Sequence, residues 1–380
     1  MYVNLAPPLA DLQGYDLSAY RGGLYEWRDT LPIAPDVPPV TLGEGNTPSA
    51  PLRIDPGSGP LAIKNEAANP TWSHKDRGMS AALTKARELG ADTVVVASSG
   101  NAGAAAAAYS ARAGMRCVVL TTVGIPPVME KLLVGVGATL IGYGSTDERN
   151  RMLAGAVREL GWYPAAFTDD RVGGNPYGNE GFKSIAYELA RDYGDELETV
   201  TVPTSKADLL SGIGRGFQEL AEAGLIRRIP ALVAAEASTG AAFTTALTRP
   251  DPDSQERTEV VRHDSPAWSI GNTYAFFQGL HAIRVSGGYA MAIPQEEYLA
   301  ERERVGRENG LHVEISSAVA IAAARRIAET ASGLTVAVST STGIKDPDFP
   351  DADSPALTAL EPTIDRLRAW VERTRSSPPR

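Results

Sequence analysis

The stretch over residues 69–78 contains the lysine with the clearest potential for chemistry. It reads N-P-T-W-S-H-K-D-R-G and places Lys75 at the predicted start of a helix. The positive end of a helix dipole favours the neutral form of a lysine amine, and the neutral amine is the form that makes a Schiff base with a carbonyl compound. The alternative interpretation is an ordinary lysine in a first helical turn that Ser73 caps.

A second candidate site follows a short run of β-branched residues over positions 93–97. The loop Ser98-Ser99-Gly100-Asn101 joins this run to an alanine-rich segment. A turn from a strand into a helix offers backbone N–H groups to an anion, and small residues let the backbone approach a ligand closely. The alternative is a tight strand-to-helix turn with an asparagine cap.

Both candidate sites lie in an alternation of strand-like and helix-like segments. Continuous apolar runs over residues 93–97, 117–120 and 335–338 indicate strands that are buried on both faces. Helical spacing over residues 75–89 ends at Gly90, a typical stop signal. Strand, helix and strand in succession predict a parallel sheet.

Three further segments differ from this alternation. Residues 1–60 are rich in proline and glycine and predict an irregular arm with short strands. Residues 248–266 are polar and charged and predict a surface loop. The tail after Pro347 carries one predicted amphipathic helix, from Leu357 to Arg373.

Composition excludes several classes of protein. The chain has 380 residues, of which 43% are hydrophobic and 22% charged, so a folded protein is expected rather than a disordered one. The net charge of -10 and the lack of a basic block argue against a nucleic-acid partner. Cys117 is the only cysteine, and the four histidines lack ligand-like spacing, so no metal is expected.

The location of the protein follows from two further features. The first residues lack the basic start and apolar core of a signal peptide, and the most apolar stretch, residues 102–111, is too short to span a membrane. We therefore expect a cytoplasmic protein with no membrane partner.

Five motifs in order resemble those of fold type II pyridoxal phosphate (PLP) enzymes, and most closely those of threonine synthases. Residues 69–78 match the form N-P-T-x-S-x-K-D-R-G, and residues 98–101 match S-x-G-N. Residues 42–48 are similar to an early E-G-x-T-P motif, residues 175–183 to N-P…E-G-x-K, and residues 343–347 to G-L-K-D-P.

The resemblance implies an α/β fold with two domains, each with a parallel-rich twisted sheet flanked by helices. Residues 1–84 and 186–380 would form the large PLP-binding domain. Residues 85–185 would form a smaller inserted α/β domain. The resemblance also implies a homodimer that binds a small amino-acid substrate.

The resemblance assigns roles to individual residues. Lys75 would hold PLP as a Schiff base, and Asn101 would donate a hydrogen bond to the phenolic oxygen of the cofactor. Thr340 would face the pyridine nitrogen, with Ser339 and Ser341 as neighbouring alternatives. The residues implied for substrate binding are Ser98, Ser99, Gly100 and Asn101.

Four nearby residues are more ambiguous. Asp76 and Arg77 are expected to be structural, as an adjacent pair that anchors a first helical turn. His74 is either a packed histidine or a general acid–base group. Glu314 matches a glutamate of the family, and either a role near the cofactor ring or a helix start capped by Ser316 is open.

The phosphate-binding loop departs from the family pattern, because its glycines are absent. The sequence after Pro203 places Ser205, Lys206, Ala207 and Asp208 where the glycine-rich loop is expected. These four residues are predicted to bind the PLP phosphate, with Lys206 supplying charge and Asp208 capping the next helix with its side chain directed away. The alternative is a loop that turns to solvent, with the phosphate held elsewhere or lost.

A second departure concerns the substrate. Gly178 lies where threonine synthases usually have an arginine that binds the phosphate of O-phosphohomoserine. This difference predicts weak turnover of that substrate unless another cation, such as Arg171 or Lys183, replaces the arginine.

The predicted function is that of a PLP-dependent carbon–oxygen lyase of the threonine synthase type. Lys75 would remove the α-proton, a leaving group would depart, and water would add. The alternative within the same class is β-elimination or β-replacement on a serine- or threonine-type substrate or on O-phosphoserine. An alternative of another class is a pseudo-enzyme that binds PLP and regulates a partner.

Overall fold

A computed structural model of the chain describes residues 12, 14–169, 172–346 and 359–375. The strands in these residues are β1 (Ser49–Pro51), β2 (Leu61–Asn65), β3 (Thr93–Ala97), β4 (Arg116–Thr122), β5 (Thr139–Tyr143), β6 (Tyr163–Asp169), β7 (Val172–Gly174), β8 (Leu197–Pro203), β9 (Ala231–Ala237), β10 (Tyr289–Ile293) and β11 (Leu334–Ser339). The helices are α1 (Lys75–Glu88), α2 (Asn101–Ala113), α3 (Pro127–Gly135), α4 (Thr146–Leu160), α5 (Pro176–Gly181), α6 (Lys183–Tyr193), α7 (Asp208–Glu222), α8 (Ala242–Ala246), α9 (Pro252–Glu256), α10 (Phe277–Ser286), α11 (Gln295–Asn309), α12 (Ile315–Ala328) and α13 (Ile364–Arg375).

The strands form two sheets. The first has the order β1-β2-β11-β8-β9-β10, and its neighbours are parallel except for β1 and β2. The second has the order β5-β4-β3-β6-β7, and its neighbours are parallel except for β6 and β7. Parallel neighbours bring the carboxyl ends of their strands to one edge, where ligands of α/β proteins bind.

Burial explains why the central strands read as continuous apolar runs. Every residue of β11 is buried, as are Thr93–Val96 of β3. Helices cover both faces of a parallel sheet, so a strand in its centre has no polar side. Helix α7 packs its apolar face into the core of the first sheet through residues such as Leu210 and Phe217.

The predicted α/β fold with parallel-rich sheets is confirmed. The strands of the second sheet all lie within residues 85–185, and those of the first sheet lie outside that range. The division into two domains with these boundaries stays a prediction.

Several elements differ from the sequence-based prediction. Strands β6 and β10 and helix α12 were not predicted, and the predicted loop over residues 248–266 contains the short helix α9. Leu357 and Pro347 lie outside the described residues, and the described part of the predicted C-terminal helix is α13, which begins at Ile364. None of the described helices combines the length and the apolar character needed to cross a membrane.

Candidate active site

A cavity of about 580 Å³ opens at the carboxyl ends of strands from both sheets. Ala97 and Thr122 line it at the ends of β3 and β4, and Pro203 lines it at the end of β8. The residues that follow β3 and β8 form loops into α2 and α7, so two helix starts meet the same cavity. This arrangement brings the candidate residues together.

Lys75 is the first residue of α1, and its side chain lines the cavity. Its Nζ forms an ion pair with the carboxylate of Asp208, and it lies 5.5 Å from the centre of the Phe182 ring. Burial would raise the pKa of Asp208, but the electrostatic effect of Lys75 outweighs it and lowers that pKa to about 2. The Lys75 amine therefore lies in the cavity beside an ionised carboxylate.

The four residues of the loop Ser98–Asn101 all line the cavity. The Ser98 Oγ accepts hydrogen bonds from the backbone N–H groups of Gly100, at 3.2 Å, and Gly103, at 3.0 Å. A Cβ at Gly100 would lie 3.0 Å from the ring of Trp268, so the position needs a small residue. Asn101 starts α2 and does not act as its cap.

A buried carboxylate joins two of the predicted cofactor residues. Glu314 accepts a hydrogen bond from the Asn101 Nδ2 at 3.1 Å and from the Thr340 Oγ1 at 2.6 Å. Burial raises the pKa of Glu314. The prediction did not count Glu314 among the site residues, although its match to a family glutamate was the available signal.

The hydroxyl neighbours of Thr340 lie in different surroundings. Among these described residues, Thr340 lines the cavity and Ser339 and Ser341 do not. Ser339 ends β11 with a buried Oγ that lacks a hydrogen-bond partner, whereas the Ser341 Oγ donates to the Trp72 carbonyl at 2.8 Å. The geometry therefore favours Thr340 over the two alternatives.

The loop before α7 keeps the backbone shape that a glycine would adopt. Ala207 has a φ of 62°, in the left-handed region, and caps α7 without a side-chain hydrogen bond. Its Cβ faces Gly279, where an added Cβ would lie 2.5 Å away. The Gln278 Nε2 donates to the Lys206 carbonyl at 2.7 Å. The start of α7 thus opens into the cavity with uncapped N–H groups.

Lys206 is the cation next to this helix start. Burial lowers the pKa of Lys206 to about 8, with further effects from Asp208, Arg149 and Lys75. Ser205, Lys206 and Asp208 all line the cavity, so the loop does not turn to solvent, and its binding of the phosphate stays a prediction.

Two of the detailed expectations are corrected by the structure. Asp208 does not cap α7 with its side chain directed away, because Ala207 is the cap and the Asp208 carboxylate pairs with Lys75 inside the cavity. Ser73 does not cap α1, since its buried Oγ has no hydrogen-bond partner. The largely buried Lys75 amine needs a nearby counter-charge, and the Asp208 carboxylate supplies it.

The positions expected to replace the substrate-binding arginine lie elsewhere. Gly178 packs against α1, where an added Cβ would lie 2.9 Å from the Gly78 carbonyl oxygen. Lys183 is fully buried in ion pairs with Glu180 and Glu219. Arg171 lies outside the described residues.

The structure favours packing for His74. Its Nδ1 lies 3.2 Å from the Thr340 carbonyl oxygen, and its ring packs against Phe182. Burial lowers its pKa to about 3. Asp76 accepts hydrogen bonds from Thr71, which agrees with an anchoring role.

Comparison with known proteins decides the family. The sequence pattern of a family described as "Pyridoxal-phosphate dependent enzyme" matches residues 40–343. The chain belongs to this family.

Two curated relatives with similar sequences are threonine synthases. That of Methanocaldococcus jannaschii is 32% identical over 347 residues, which cover 86% of this chain and 81% of that protein. That of Mycobacterium tuberculosis strain H37Rv is 34% identical over 363 residues, which cover 93% of this chain and 95% of that protein. The predicted PLP-dependent lyase related to threonine synthases is confirmed.

Solved structures agree on the fold. O-ureido-L-serine synthase superposes with a TM-score of 0.67 at 23% identity, covering 86% of this chain and 96% of that one. O-acetylserine sulfhydrylase isoform 3 from Entamoeba histolytica gives a TM-score of 0.67 at 16% identity, covering 83% and 91%. Both similarities extend to the fold alone.

The side chains around the cavity fit PLP. An amine is available for the aldehyde in Lys75, and the Asn101 amide is available for a ring oxygen. The uncapped start of α7, with Lys206 beside it, suits a phosphate group. In the described part of the chain, no cluster of three or more His, Cys, Asp or Glu side chains is arranged to hold a metal ion.

Proposed function

We propose that this chain catalyses a threonine synthase-like reaction on O-phosphohomoserine. The observation that carries the proposal is the meeting of Lys75, Asn101 and the start of α7 in one cavity, in a chain related to threonine synthases. Overall, the substrate and water become threonine and inorganic phosphate. The proposal includes a homodimer and a cytoplasmic location.

In this proposal Lys75 has two tasks. Its amine binds the aldehyde of PLP, and after release it removes the proton from the substrate Cα. The bound cofactor supplies the electron sink that lets this proton leave. Asp208, which pairs with the Lys75 Nζ, orients the amine and stabilises its protonated form after the transfer.

The other site residues bind and orient. The loop over residues 98–101, at the start of α2, binds the substrate α-carboxylate. Asn101 and Thr340 contact the cofactor ring, and Glu314 holds both side chains in place through its two oxygens. Ser205, Lys206, Ala207 and Asp208 surround the cofactor phosphate at the start of α7, through backbone N–H groups and the Lys206 charge.

The proposed reaction balances in atoms and in electrons. A proton leaves Cα, a second proton leaves Cβ, and phosphate leaves Cγ. Water then adds, with its hydroxyl group on Cβ and a proton on Cγ, and the α-proton is returned. The product is threonine, and no oxidant or reductant is consumed.

The test is an assay of the PLP-loaded enzyme with four amino acids. O-phosphohomoserine should give threonine and phosphate in equal amounts, and Lys75→Ala should give neither. Serine, threonine and O-phosphoserine are assayed in parallel for the 2-oxo acid that β-elimination produces. A 2-oxo acid without threonine would favour the alternative lyase, and a bound cofactor without any product would favour the pseudo-enzyme.

The remaining parts of the proposal have direct measurements. Light scattering of the loaded enzyme gives its mass, which should be twice the 40.1 kDa of one chain. Fractionation of cells that express the protein tests the cytoplasmic location.

A further inference from the structure

Arg149 is a cation in the cavity with an unused hydrogen-bond donor. It lies in the first turn of α4, and its side chain lines the cavity. Its Nε is buried and has no hydrogen-bond partner, and its Nη2 is 3.5 Å from the Asn150 Oδ1. No carboxylate in the described part of the chain forms an ion pair with Arg149. Charged groups that are shielded from solvent are normally paired. The partly buried Arg149 guanidinium is an exception among the described residues, because it has no carboxylate partner.

Two of the lysines in the cavity have close side-chain partners. Lys75 pairs with Asp208, and the Lys345 Nζ donates to the Asn101 Oδ1 at 2.9 Å. Lys206 lies close enough to Arg149 for the guanidinium to disfavour its charged form. Arg149 therefore lies within electrostatic reach of Lys206, and an anionic ligand in the cavity would stabilise the guanidinium.

We infer that Arg149 binds an anionic group on the side chain of the amino-acid substrate, such as a phosphate ester. This inference rests on the proposed function, because it assumes that an amino acid occupies the cavity. A planar guanidinium can donate two parallel hydrogen bonds to a phosphate, which suits such recognition. Thr122 and Thr146 also line the cavity and offer hydroxyl groups.

Arg149 lies on a different element from the two helix starts that we assign to the other anions of the reaction. The cofactor phosphate is assigned to the start of α7, and the substrate α-carboxylate to the start of α2. Arg149 belongs to α4, a third element, and is left for the substrate side chain.

The inference also explains how the chain could bind a substrate phosphate although position 178 is a glycine and not the expected arginine. Gly178 packs against α1, so no side chain from this position reaches the cavity without displacing the Gly78 backbone. A cation from α4 can supply the same charge from another direction. The chain is therefore expected to accept a phosphorylated substrate, contrary to the weak turnover that Gly178 alone predicts.

The experiment measures amino-acid binding to the PLP-loaded enzyme through the change in its visible spectrum. Two matched pairs differ only in the phosphate: O-phosphohomoserine with homoserine, and O-phosphoserine with serine. Arg149→Gln should weaken binding of the phosphorylated members by about ten- to a hundredfold. Binding of homoserine and serine, whose side chains carry no charge, should stay within about twofold. Arg149→Lys should lose less, because it keeps the charge.

Arg151→Gln is the control, because it removes the same group from an exposed position of the same helix. It should leave all four affinities unchanged. PLP affinity is measured separately for each variant and should also stay unchanged in Arg149→Gln.

Three results would overturn the inference. An equal loss for all four amino acids would assign Arg149 to the α-carboxylate or to folding. A loss of PLP affinity would assign it to the cofactor, and unchanged affinities would leave it without a role in binding. A failure to form threonine, with the binding preference intact, would contradict only the proposed function.

Discussion

Lys75 and Arg77 lie two residues apart on α1 and have opposite environments. The Lys75 side chain is 21% exposed and pairs with Asp208, which is 19% exposed, inside the cavity. Arg77 is fully buried and donates to Glu66 at 2.7 Å and to Glu188 at 2.5 Å. One helix turn thus holds a cation that a ligand can reach and a cation that no ligand can reach.

The two environments show how the site is held in place. Burial alone would lower the pKa of Arg77, but Glu188 and Glu66 outweigh burial and raise it. Lys64 joins the same network through Glu188 at 2.7 Å. This network links α1 to β2 and α6, so it fixes the direction of the helix that carries Lys75. The Arg77 network is fixed by burial, whereas the Lys75 amine can exchange Asp208 for a ligand in the cavity.

Lys75→Ala gives the largest expected effect. We expect complete loss of the visible absorbance that the lysine-bound cofactor produces, because no amine remains at the start of α1. Reduction with borohydride followed by peptide mapping checks this in the parent chain, where the cofactor should be found on Lys75. Cofactor trapped on another lysine, such as Lys206, would contradict the assignment.

Arg77→Leu tests the other side of the comparison. It leaves Glu66 and Glu188 buried without their partner, which should cost about 3–5 kcal/mol in the free energy of unfolding. Urea unfolding of the cofactor-free protein measures this loss.

Lys75→Ala is the matched variant on the same helix. Its pair is reached by solvent, so the loss of unfolding free energy should be smaller than that of Arg77→Leu. Equal losses in the two variants would remove the distinction between the cavity pair and the buried network.

Lys206→Ala should weaken PLP affinity by about ten- to a hundredfold, because a charge-assisted hydrogen bond to the cofactor phosphate is lost. Lys206→Arg should lose less. Titration of the cofactor-free protein with PLP measures both. An alanine variant with intact PLP affinity and a raised KM would instead place this side chain with the substrate.

The pH dependence sharpens the same prediction. Because burial lowers the pKa of Lys206 to about 8, its charge is present below pH 8 and is lost as pH rises through that value. The part of PLP affinity that depends on this charge should therefore decrease above pH 8 in the parent chain. Lys206→Arg keeps its charge and should show a smaller decrease. Parallel pH profiles would contradict the role of Lys206.

Asp208→Asn has the smallest expected effect on PLP affinity. The Asp208 carboxylate lies at the start of α7, where it repels a phosphate and holds Lys75 in the cofactor-free protein. Its removal should tighten PLP binding by about two- to fivefold, the range expected for one partly exposed pair. Weaker binding would indicate that the carboxylate supports the bound cofactor.

Much of the fold was predictable because local patterns were strong. The run over residues 93–97 is strand β3 in full, and the predicted helix over residues 75–89 differs from α1 by one residue. Helix α12 was missed for a physical reason. All but two of its residues are buried, so it lacks the alternation of polar and apolar faces that marks a helix in a sequence. Strand β10 is short and contains two alanines, which favour strands weakly.

The candidate site was predictable where chemistry lies in one contiguous stretch. Residue type and spacing were enough to indicate a site in residues 69–78 and 98–101. Lys75 from the first stretch and all four residues of the second line the cavity. The loop over residues 205–208 follows a strand, as the sequence indicates, and three of its residues line the cavity. The orientation of Asp208 was wrong, because the sequence does not state that Ala207 adopts the left-handed conformation that directs the next side chain.

Residue types and their spacing were enough to predict an alternation of strands and helices with a parallel sheet, the lysine at the start of α1 and the family to which these motifs point. Which distant side chains meet depends on the tertiary structure. Asp208 reaches Lys75 across 133 residues, and Glu314 reaches Asn101 across 213. Arg149 enters the cavity from a helix with no motif of its own. Local propensity acts between neighbours in the chain, whereas these contacts depend on which strand carboxyl ends the two sheets bring to one edge.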